Sequence, residues 1–348
     1  MRNRANSKHS EVLLTSPQEI FTTLIKELQH ARESIDMEFY IFLGDRIGNT
    51  ITSLLRRKAR QGVRVRLVVD GYGSRKMPRK MRQALTQEGV QLRVAHTFSH
   101  CRNHRKMVII DQRTALVGGI NIADRYVVGN ELGVWYDAVL RIGGVAVAPL
   151  CRLFDYDFAP TANRIVPTPD ETAHSPMLYW SESGGGGAMM RLLYDVIDGA
   201  ERDIIFTTPY FMPPRGVLRH LEQAVERGVR ASVIIPRRCD IWLIDDVMRH
   251  SIREAESLGI EVLLLDNAFI HAKLALVDTR RVVVGSANLD ARSLGVNREL
   301  MLSSFNRTTC ATAKHFLQRL RQMATPASDH EIKCYLPRFI TRAITPLM

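Results

Sequence analysis

The stretch "HCRNHRKMVIIDQRTALVGGINIADRY", residues 100–126, decides how the chain reads. His104 stands two places before Lys106, four apolar residues and Asp111 follow, and seven places later come Gly118, Gly119 and then Asn121. The same order returns in "FIHAKLALVDTRRVVVGSANLDARS", residues 269–293, with His271, Lys273, Asp278, Gly285, Ser286 and Asn288. His104 and His271 lie 167 residues apart, as do Gly118 and Gly285. Upstream, "QGVRVRLVVDG" (61–71) echoes "RGVRASVIIPR" (227–237), and "LIKELQHARESIDMEFYIF" (24–42) matches "LLYDVIDGAERDIIFTTPYF" (192–211) as an amphipathic helix followed by a strand. Such constant offsets imply two homologous halves. The boundary falls in a Pro-, Ser- and Gly-rich stretch between about residues 160 and 186. The expected organisation is a first lobe over 1–160, a connector over 161–186, a second lobe over 187–325 and a tail over 326–348.

Within each half, short β-branched runs such as "VRVRLVVD" and "KLALVD" are bounded by glycine and charge, as strands are. The segments between them, such as "GVLRHLEQAVERG", are amphipathic and stop on glycine, as helices do. Helices alternating with strands predict an α/β layered lobe, twice over. Two such sandwich lobes related by a pseudo-two-fold bring equivalent strand edges together, with a site between them.

The repeated motif has a chemical reading. On a strand, residues two apart leave the same face, so each His and Lys point together while Arg105 and Ala272 point away. The glycines let Asn121 or Asn288, and Ser286, approach a ligand closely. One such set is a modest anion pocket; two sets facing each other suit a phosphate diester. Cleaving that diester needs a nucleophile on phosphorus, an acid for the leaving oxygen in line with it, and positive charge for the equatorial oxygens. Two histidines fill the first two roles, since imidazole titrates near neutral pH. Lys106 and Lys273 with Asn121, Asn288 and Ser286 fill the third. Glu131 in "GNELG" and Glu299 in "VNREL" occupy matching places after each motif and are expected to orient the imidazoles. Asp111 and Asp278 complete the motif, but each ends a strand where Asp commonly caps a turn, and a structural role is the favoured reading.

Bulk properties narrow the partner. The 348 residues are 45% hydrophobic and 24% charged, an ordinary globular composition, and no stretch approaches the ~20 apolar residues that span a bilayer. A net charge of +12 points to an anionic partner, either nucleic acid or an acidic lipid surface. Five scattered cysteines form no C-x-x-C pair, so neither a zinc site nor a disulfide framework is expected, and a reducing setting is. The N-terminal "MRNRANSKHSEVLL" lacks the apolar core of a secretory signal.

On H-x-K-x(4)-D followed by G-[GS]-x-N, present twice, the chain resembles the phospholipase D superfamily over nearly its whole length. "MEFYIFLGDRIG" (37–48), "TPYFMPP" (208–214) and "VGSANLDARSLGVNRE" (284–299) are similar to bacterial cardiolipin synthases, of the short form without N-terminal membrane helices. The resemblance implies a two-lobed α/β/α fold, one shared active site, a phosphohistidine intermediate with His104 as nucleophile, and no metal or other cofactor. It also implies phospholipid substrates: phosphatidylglycerol, with phosphatidylethanolamine as an alternative donor. The corresponding location is peripheral, on the cytoplasmic face of the inner membrane. Hydrolysis of the same phosphodiester, as a phospholipase D, stays open beside transfer, and so do two other classes. A nuclease of the same superfamily suits the charge, although its small members usually carry one motif per chain, so nucleic acid is disfavoured. A catalytically dead lipid-binding protein is disfavoured because every motif residue is present. Two basic features fit a lipid surface: the run "GSRKMPRKMRQAL" (73–85), and a C-terminal amphipathic helix. The helix would carry Leu336, Phe339, Ile340, Ala343, Ile344 and Leu347 on one stripe, with Arg338 and Arg342 off it.

Overall fold

The computed structural model describes residues 10–95, 101–159, 176–182, 187–332 and 334–337. The first lobe starts with β1 (Ser10–Leu14) and α1 (Pro17–His30). The Ser16 hydroxyl accepts from Glu19 N at 3.1 Å, and Pro17 sits in the first turn, where a missing N–H costs nothing. Ile20, Leu24 and Leu28 repeat every four residues and bury one face of α1. The lobe continues with β2 (Ser34–Phe39), α2 (Arg46–Arg60), β3 (Arg64–Asp70), α3 (Arg79–Gln87) and β4 (Gln91–Ala95). After these come β5 (Met107–Ile110), β6 (Thr114–Gly118), α4 (Arg125–Val128), β7 (Val134–Tyr136), β8 (Val139–Gly143) and α5 (Ala148–Phe158). Its sheet has the order β1-β8-β6-β5-β2-β3-β4, with β2, β3 and β4 parallel and the remaining pairs antiparallel.

The second lobe repeats this plan. It comprises β9 (Met177–Trp180), α6 (Gly187–Asp198), β10 (Asp203–Thr207), β11 (Phe211–Met212), α7 (Arg215–Glu226), β12 (Arg230–Pro236), α8 (Trp242–Ser257) and β13 (Glu261–Leu265). It goes on through β14 (Ala268–Ile270), β15 (Lys273–Val277), β16 (Arg281–Gly285), β17 (Leu289–Asp290), α9 (Ala291–Gly295), β18 (Leu300–Ser304), α10 (Arg307–Gln322) and β19 (Ala324–Pro326). The sheet order, β9-β18-β16-β15-β10-β12-β13-β19, is that of the first sheet with one antiparallel strand added at the edge. The mixed α/β architecture and the duplication are as the sequence predicts. The offset holds even at the outer strands, since β1 begins at Ser10 and β9 at Met177. That placement corrects the expected connector: Met177–Trp180 lie inside 161–186 yet pair with β18 as part of the second sheet.

Each sheet has an outer and an inner face. Side chains of α1, α2 and α3 cover the outer face of the first sheet, and those of α6, α7 and α8 cover that of the second. Between the sheets lies one shared core, in which Val117, Leu140 and Ile142 of one sheet cluster with Leu274, Val284 and Leu300 of the other, flanked by α5 and α10. Each large aliphatic side chain buried there stabilises the fold by ~1.5–3 kcal/mol. The inner core fixes the two lobes against each other, and the ends of β5 and β15 therefore meet at a defined place.

Two hairpins also explain the motif aspartates. Between β5 and β6, Arg113 N donates to Ile110 O at 3.0 Å, with Asp111 and Gln112 at φ of 52° and 53°. Between β15 and β16, Arg280 N donates to Val277 O at 2.8 Å, with Asp278 and Thr279 at 49° and 56°. Two consecutive left-handed residues are the tight hairpin turn that matches strand twist, and Asp tolerates that conformation well. Of the expected C-terminal helix, residues 338–348 lie outside the described residues. The part that is described, 334–337, is not helical but pinned along α8, where Asp246 accepts from Tyr335 N at 2.7 Å and Leu336 N at 3.0 Å.

Candidate active site

His104 and His271 sit just ahead of β5 and β15 and line one cavity of about 590 Å3 at the junction of the lobes. Each is tied to the opposite half through its own backbone. His104 N donates to Arg298 O at 2.9 Å, and His271 N donates to Tyr136 O at 2.8 Å. Each imidazole also takes its carboxylate from the opposite half. His104 Nδ1 lies 2.9 and 3.0 Å from the two carboxylate oxygens of Glu299, and His271 Nδ1 lies 2.7 Å from Asp137 Oδ2.

Glu299 thus stands where the sequence places an orienting carboxylate, while Glu131 does not. Glu131 is exposed and lines a separate cavity beside Arg237 and Asn267. Asp137 takes the place expected of it, and the strand register shows why. Gly118 pairs with Val139 and Gly285 with Met301, so Asp137 and Glu299 each lie two residues before equivalent positions. Nineteen residues separate Gly118 from Asp137, but fourteen separate Gly285 from Glu299. A five-residue difference in the loop breaks the constant offset, and a search at fixed spacing lands on the wrong acid. The parallel of "DAVL" with "ELML" carries the signal that finds it.

The difference between Gly119 and Ser286 at the second motif position is part of the same support. A Cβ on Gly119 would fall 2.3 Å from Asp137 Oδ1, so only glycine leaves room for that carboxylate. In the other half the Ser286 hydroxyl donates to Glu299 Oε2 and accepts from Leu300 N at 2.9 Å. Ser286 therefore holds the orienting carboxylate. Asn121 lines the cavity, but its Oδ1 accepts from Ile41 N at 2.9 Å and its Nδ2 bonds Tyr126 Oη at 2.7 Å. Asn288 also lines the cavity, and its buried Oδ1 has no hydrogen-bond partner.

Both lysines are buried beneath the histidines, and Lys106 and Lys273 donate to the carbonyls of His104 and His271 respectively. Lys273 Nζ also lies 3.0 Å from both ring nitrogens of His271. Burial drives Lys106 well below the usual lysine range and brings Lys273 down to about 8. Burial likewise lowers His104 and, reinforced by Lys273 and Lys106, holds His271 well below an ordinary histidine. Burial alone would raise Glu299, but His104 and Lys106 keep it below the usual carboxylate range, whereas burial raises Asp137 to about 6. Burial thus favours the neutral form of both imidazoles, each set by a carboxylate on Nδ1. A phosphodiester anion placed between them would favour the charged form of whichever imidazole must act as acid.

Asp111 and Asp278 are not part of this cluster. Five residues of strand separate Asp111 from Lys106, on the order of 16 Å. Asp111 accepts instead from the backbone N–H groups of Arg32, Glu33 and Ser34, and Asp278 from those of Glu201, Arg202 and Asp203. In each lobe the motif aspartate ties the hairpin to the start of the neighbouring strand, which corrects the catalytic placement the motif suggests.

Sequence reasoning also misses the asymmetric residue inside the motif. Arg105, fully buried, donates to Asp157, Glu182 and the Ser181 carbonyl, and its Nε reaches Glu299 O at 3.4 Å. Arg298 joins the same acids. At the equivalent position, Ala272 is simply packed in the shared core. Among the described residues no three His, Cys, Asp or Glu side chains are grouped to hold a metal ion.

With this geometry in place, comparison with known proteins is direct. The family described as "Cardiolipin synthase, PLD-like domain" matches residues 24–141 and 193–324, one block in each lobe. The chain belongs to that family. It is similar to a probable cardiolipin synthase of Bacillus subtilis, 31% identical over 85% of this chain and 62% of the relative. A cardiolipin synthase of Halalkalibacterium halodurans is 30% identical over 91% and 64%. A cardiolipin synthase A of Pseudomonas putida is 31% identical over 97% and 74%. The chain thus spans under two thirds of the length of the first two. Among solved structures, the phosphatidylserine synthase of Haemophilus influenzae superposes with a TM-score of 0.77 over 96% of this chain and 92% of that one, at 16% identity, which establishes the shared two-lobed fold. No helix among the described residues is long and apolar enough to cross a membrane.

Proposed function

We propose that the chain is a phosphatidyltransferase that makes cardiolipin from phosphatidylglycerol and a second phospholipid, through a phosphohistidine. The observation that carries this reading is the pair of imidazoles on one cavity, each held by a buried carboxylate from the opposite lobe. In the first step His104 Nε2 attacks phosphorus; the P–N bond forms, the P–O bond to the leaving glycerol breaks, and His271 gives that oxygen its proton. In the second, His271 takes the proton of an incoming lipid hydroxyl, whose oxygen attacks phosphorus as the P–N bond breaks. Glu299 and Asp137 stabilise each imidazole while it is cationic or phosphorylated, and Lys106 and Lys273 supply positive field for the equatorial oxygens. The choice of His104 as the nucleophile follows the family resemblance.

Transfer requires a lipid alcohol to arrive before water does, so the mouth of the cavity belongs at a lipid surface. Its rim supports this. Tyr72 and Ile241 line the cavity and are half exposed, and Trp242 beside them is 75% exposed. Arg75, Lys76, Arg79 and Lys80 stand exposed next to Tyr72, each worth about 1 kcal/mol near an anionic headgroup layer. We place the protein peripherally on the cytoplasmic face of the inner membrane.

The test is incubation of the purified protein with phosphatidylglycerol liposomes and separation of the products. Cardiolipin and free glycerol are expected, with a phosphohistidine mapped to residue 104 after quenching; adding phosphatidylethanolamine shows whether it serves as donor. Phosphatidic acid as nearly the sole product would make the protein a phospholipase. DNA cleavage without lipid turnover would make it a nuclease.

A further inference from the structure

The motif repeat extends four residues past each asparagine, to Arg125 and Arg292, again 167 apart. Both arginines line the cavity. They stand by opposite histidines. The guanidinium of Arg125 lies 5.1 Å from the Trp135 ring and 5.5 Å from the Tyr126 ring. Those same two rings enclose His271, Trp135 stacked at 5.6 Å and Tyr126 edge-on at 5.0 Å. Arg125 and His271 therefore share two aromatic neighbours. Arg292 is its counterpart across the pseudo-two-fold and lines the cavity with Tyr40, whose ring stands edge-on to His104 at 5.1 Å.

In an in-line transfer the leaving oxygen and the incoming hydroxyl use the same side of phosphorus, opposite the nucleophile. With His104 as nucleophile that side is the His271 side. An acceptor such as phosphatidylglycerol carries its own phosphodiester one glycerol away from the reacting hydroxyl. We propose that Arg125 binds this second phosphodiester, forming an acceptor subsite that selects an anionic lipid alcohol over water and over neutral alcohols. The proposal rests on the phosphatidyl-transfer reading above.

The chemistry fits. A guanidinium presents a planar fork of N–H donors that matches two phosphate oxygens, and Trp135 and Tyr126 fix its plane. Arg125 Nε is buried with no hydrogen-bond partner, so part of the fork is unspent. Asp240 lines the same cavity, held by the Tyr210 hydroxyl at 2.8 Å, and offers an acceptor to the free hydroxyl of the linking glycerol. The carboxylate would repel a bare phosphate, which favours a ligand that brings a hydroxyl as well as an anion.

A competition reads the subsite directly. Wild type, Arg125→Gln, Arg125→Lys and Arg292→Gln are given phosphatidylglycerol liposomes with ethanol in the buffer, and cardiolipin is measured against phosphatidylethanol. Arg125→Gln is expected to lower the cardiolipin-to-phosphatidylethanol ratio about 10- to 100-fold, the usual worth of charge-assisted bonds to one phosphate, with Arg125→Lys in between. A ratio unchanged in Arg125→Gln while both products fall together would overturn the subsite, leaving Arg125 a role in folding or chemistry. A shift in Arg292→Gln in place of Arg125→Gln would overturn the assignment to the His271 side. Wild-type protein that forms neither product defeats the transferase reading itself, a result separate from either of these.

Discussion

Replacing Asp137 by Asn tests the site at the residue that fixed sequence spacing misplaces. Asp137 Oδ2 is 2.7 Å from His271 Nδ1, and its Oδ1 accepts from Ala138 N at 2.8 Å. An asparagine must turn its NH2 toward one of these two donors. It either loses the Ala138 bond or drives His271 into the tautomer with Nδ1 bare. The electrostatic cost falls where the imidazole becomes cationic: a unit charge pair with centres about 4 Å apart at an effective dielectric of ~20 is worth ~4 kcal/mol. A neutral amide recovers ~1 kcal/mol of that as an ordinary hydrogen bond. The remaining ~3 kcal/mol corresponds to a loss of about 10^2- to 10^3-fold in kcat. Stability should move the other way. Burial already raises this carboxyl to about 6, so its ionised form opposes folding at neutral pH, and removing the charge leaves the melting temperature equal or higher. Initial rates on phosphatidylglycerol micelles, with thermal unfolding of the same samples, read both quantities. Glu131→Gln, at the exposed site, should stay within about twofold of wild type. An Asp137→Asn protein within threefold of wild type, or a Glu131→Gln protein as impaired as it, would refute the swapped-carboxylate arrangement.

Asp278→Ala strands three strand-start N–H groups and should lower unfolding free energy by ~1–3 kcal/mol, with kcat per folded molecule retained; a lost kcat in fully folded protein would return Asp278 to the chemistry. With Lys273 brought down to about 8, the free site loses one of its two ammoniums as pH rises through that value, so kcat/KM should fall above pH 8. The limb in kcat should lie higher, because bound phosphodiester favours the charged lysine, and Lys273→Arg should change the position or steepness of the limb whatever its overall rate, with Lys106 left to titrate. Trp242→Ser together with Ile241→Ser should weaken sedimentation with anionic liposomes at least fivefold, by loss of two interfacial anchors, without lowering the melting temperature; unchanged sedimentation would remove that rim from the docking surface.

Much of this was legible in the sequence for a physical reason. Duplication turns weak local signals into a register: His104 and His271, or β1 and β9, keep their 167-residue spacing because strands inside a sheet cannot gain or lose a residue without flipping their faces. Loops carry no such constraint. The five extra residues between Gly118 and Asp137 therefore hid the second carboxylate, and the spacing led to Glu131 instead. Asp111 and Asp278 show the complementary limit. A signature records which residues travel together, and a turn that must be left-handed travels with a fold as faithfully as a catalytic group. The motif shows that Arg105 points away from its neighbours but not what it meets, because its partners Asp157 and Glu182 lie outside both repeated motifs, Glu182 within the stretch between the lobes.

The crossed support of the two histidines has a consequence for how the molecule comes apart. The inner faces of both sheets form one apolar core, and each reactive backbone segment is hydrogen-bonded to the other half. Neither half can melt without exposing its neighbour's inner face and stranding that neighbour's imidazole. Heat should therefore produce a single calorimetric transition, with van't Hoff and calorimetric enthalpies in agreement, even though the chain reads as a tandem duplication. The halves expressed as separate polypeptides should each be inert and insoluble alone, and should regain turnover only when co-folded in the same cell.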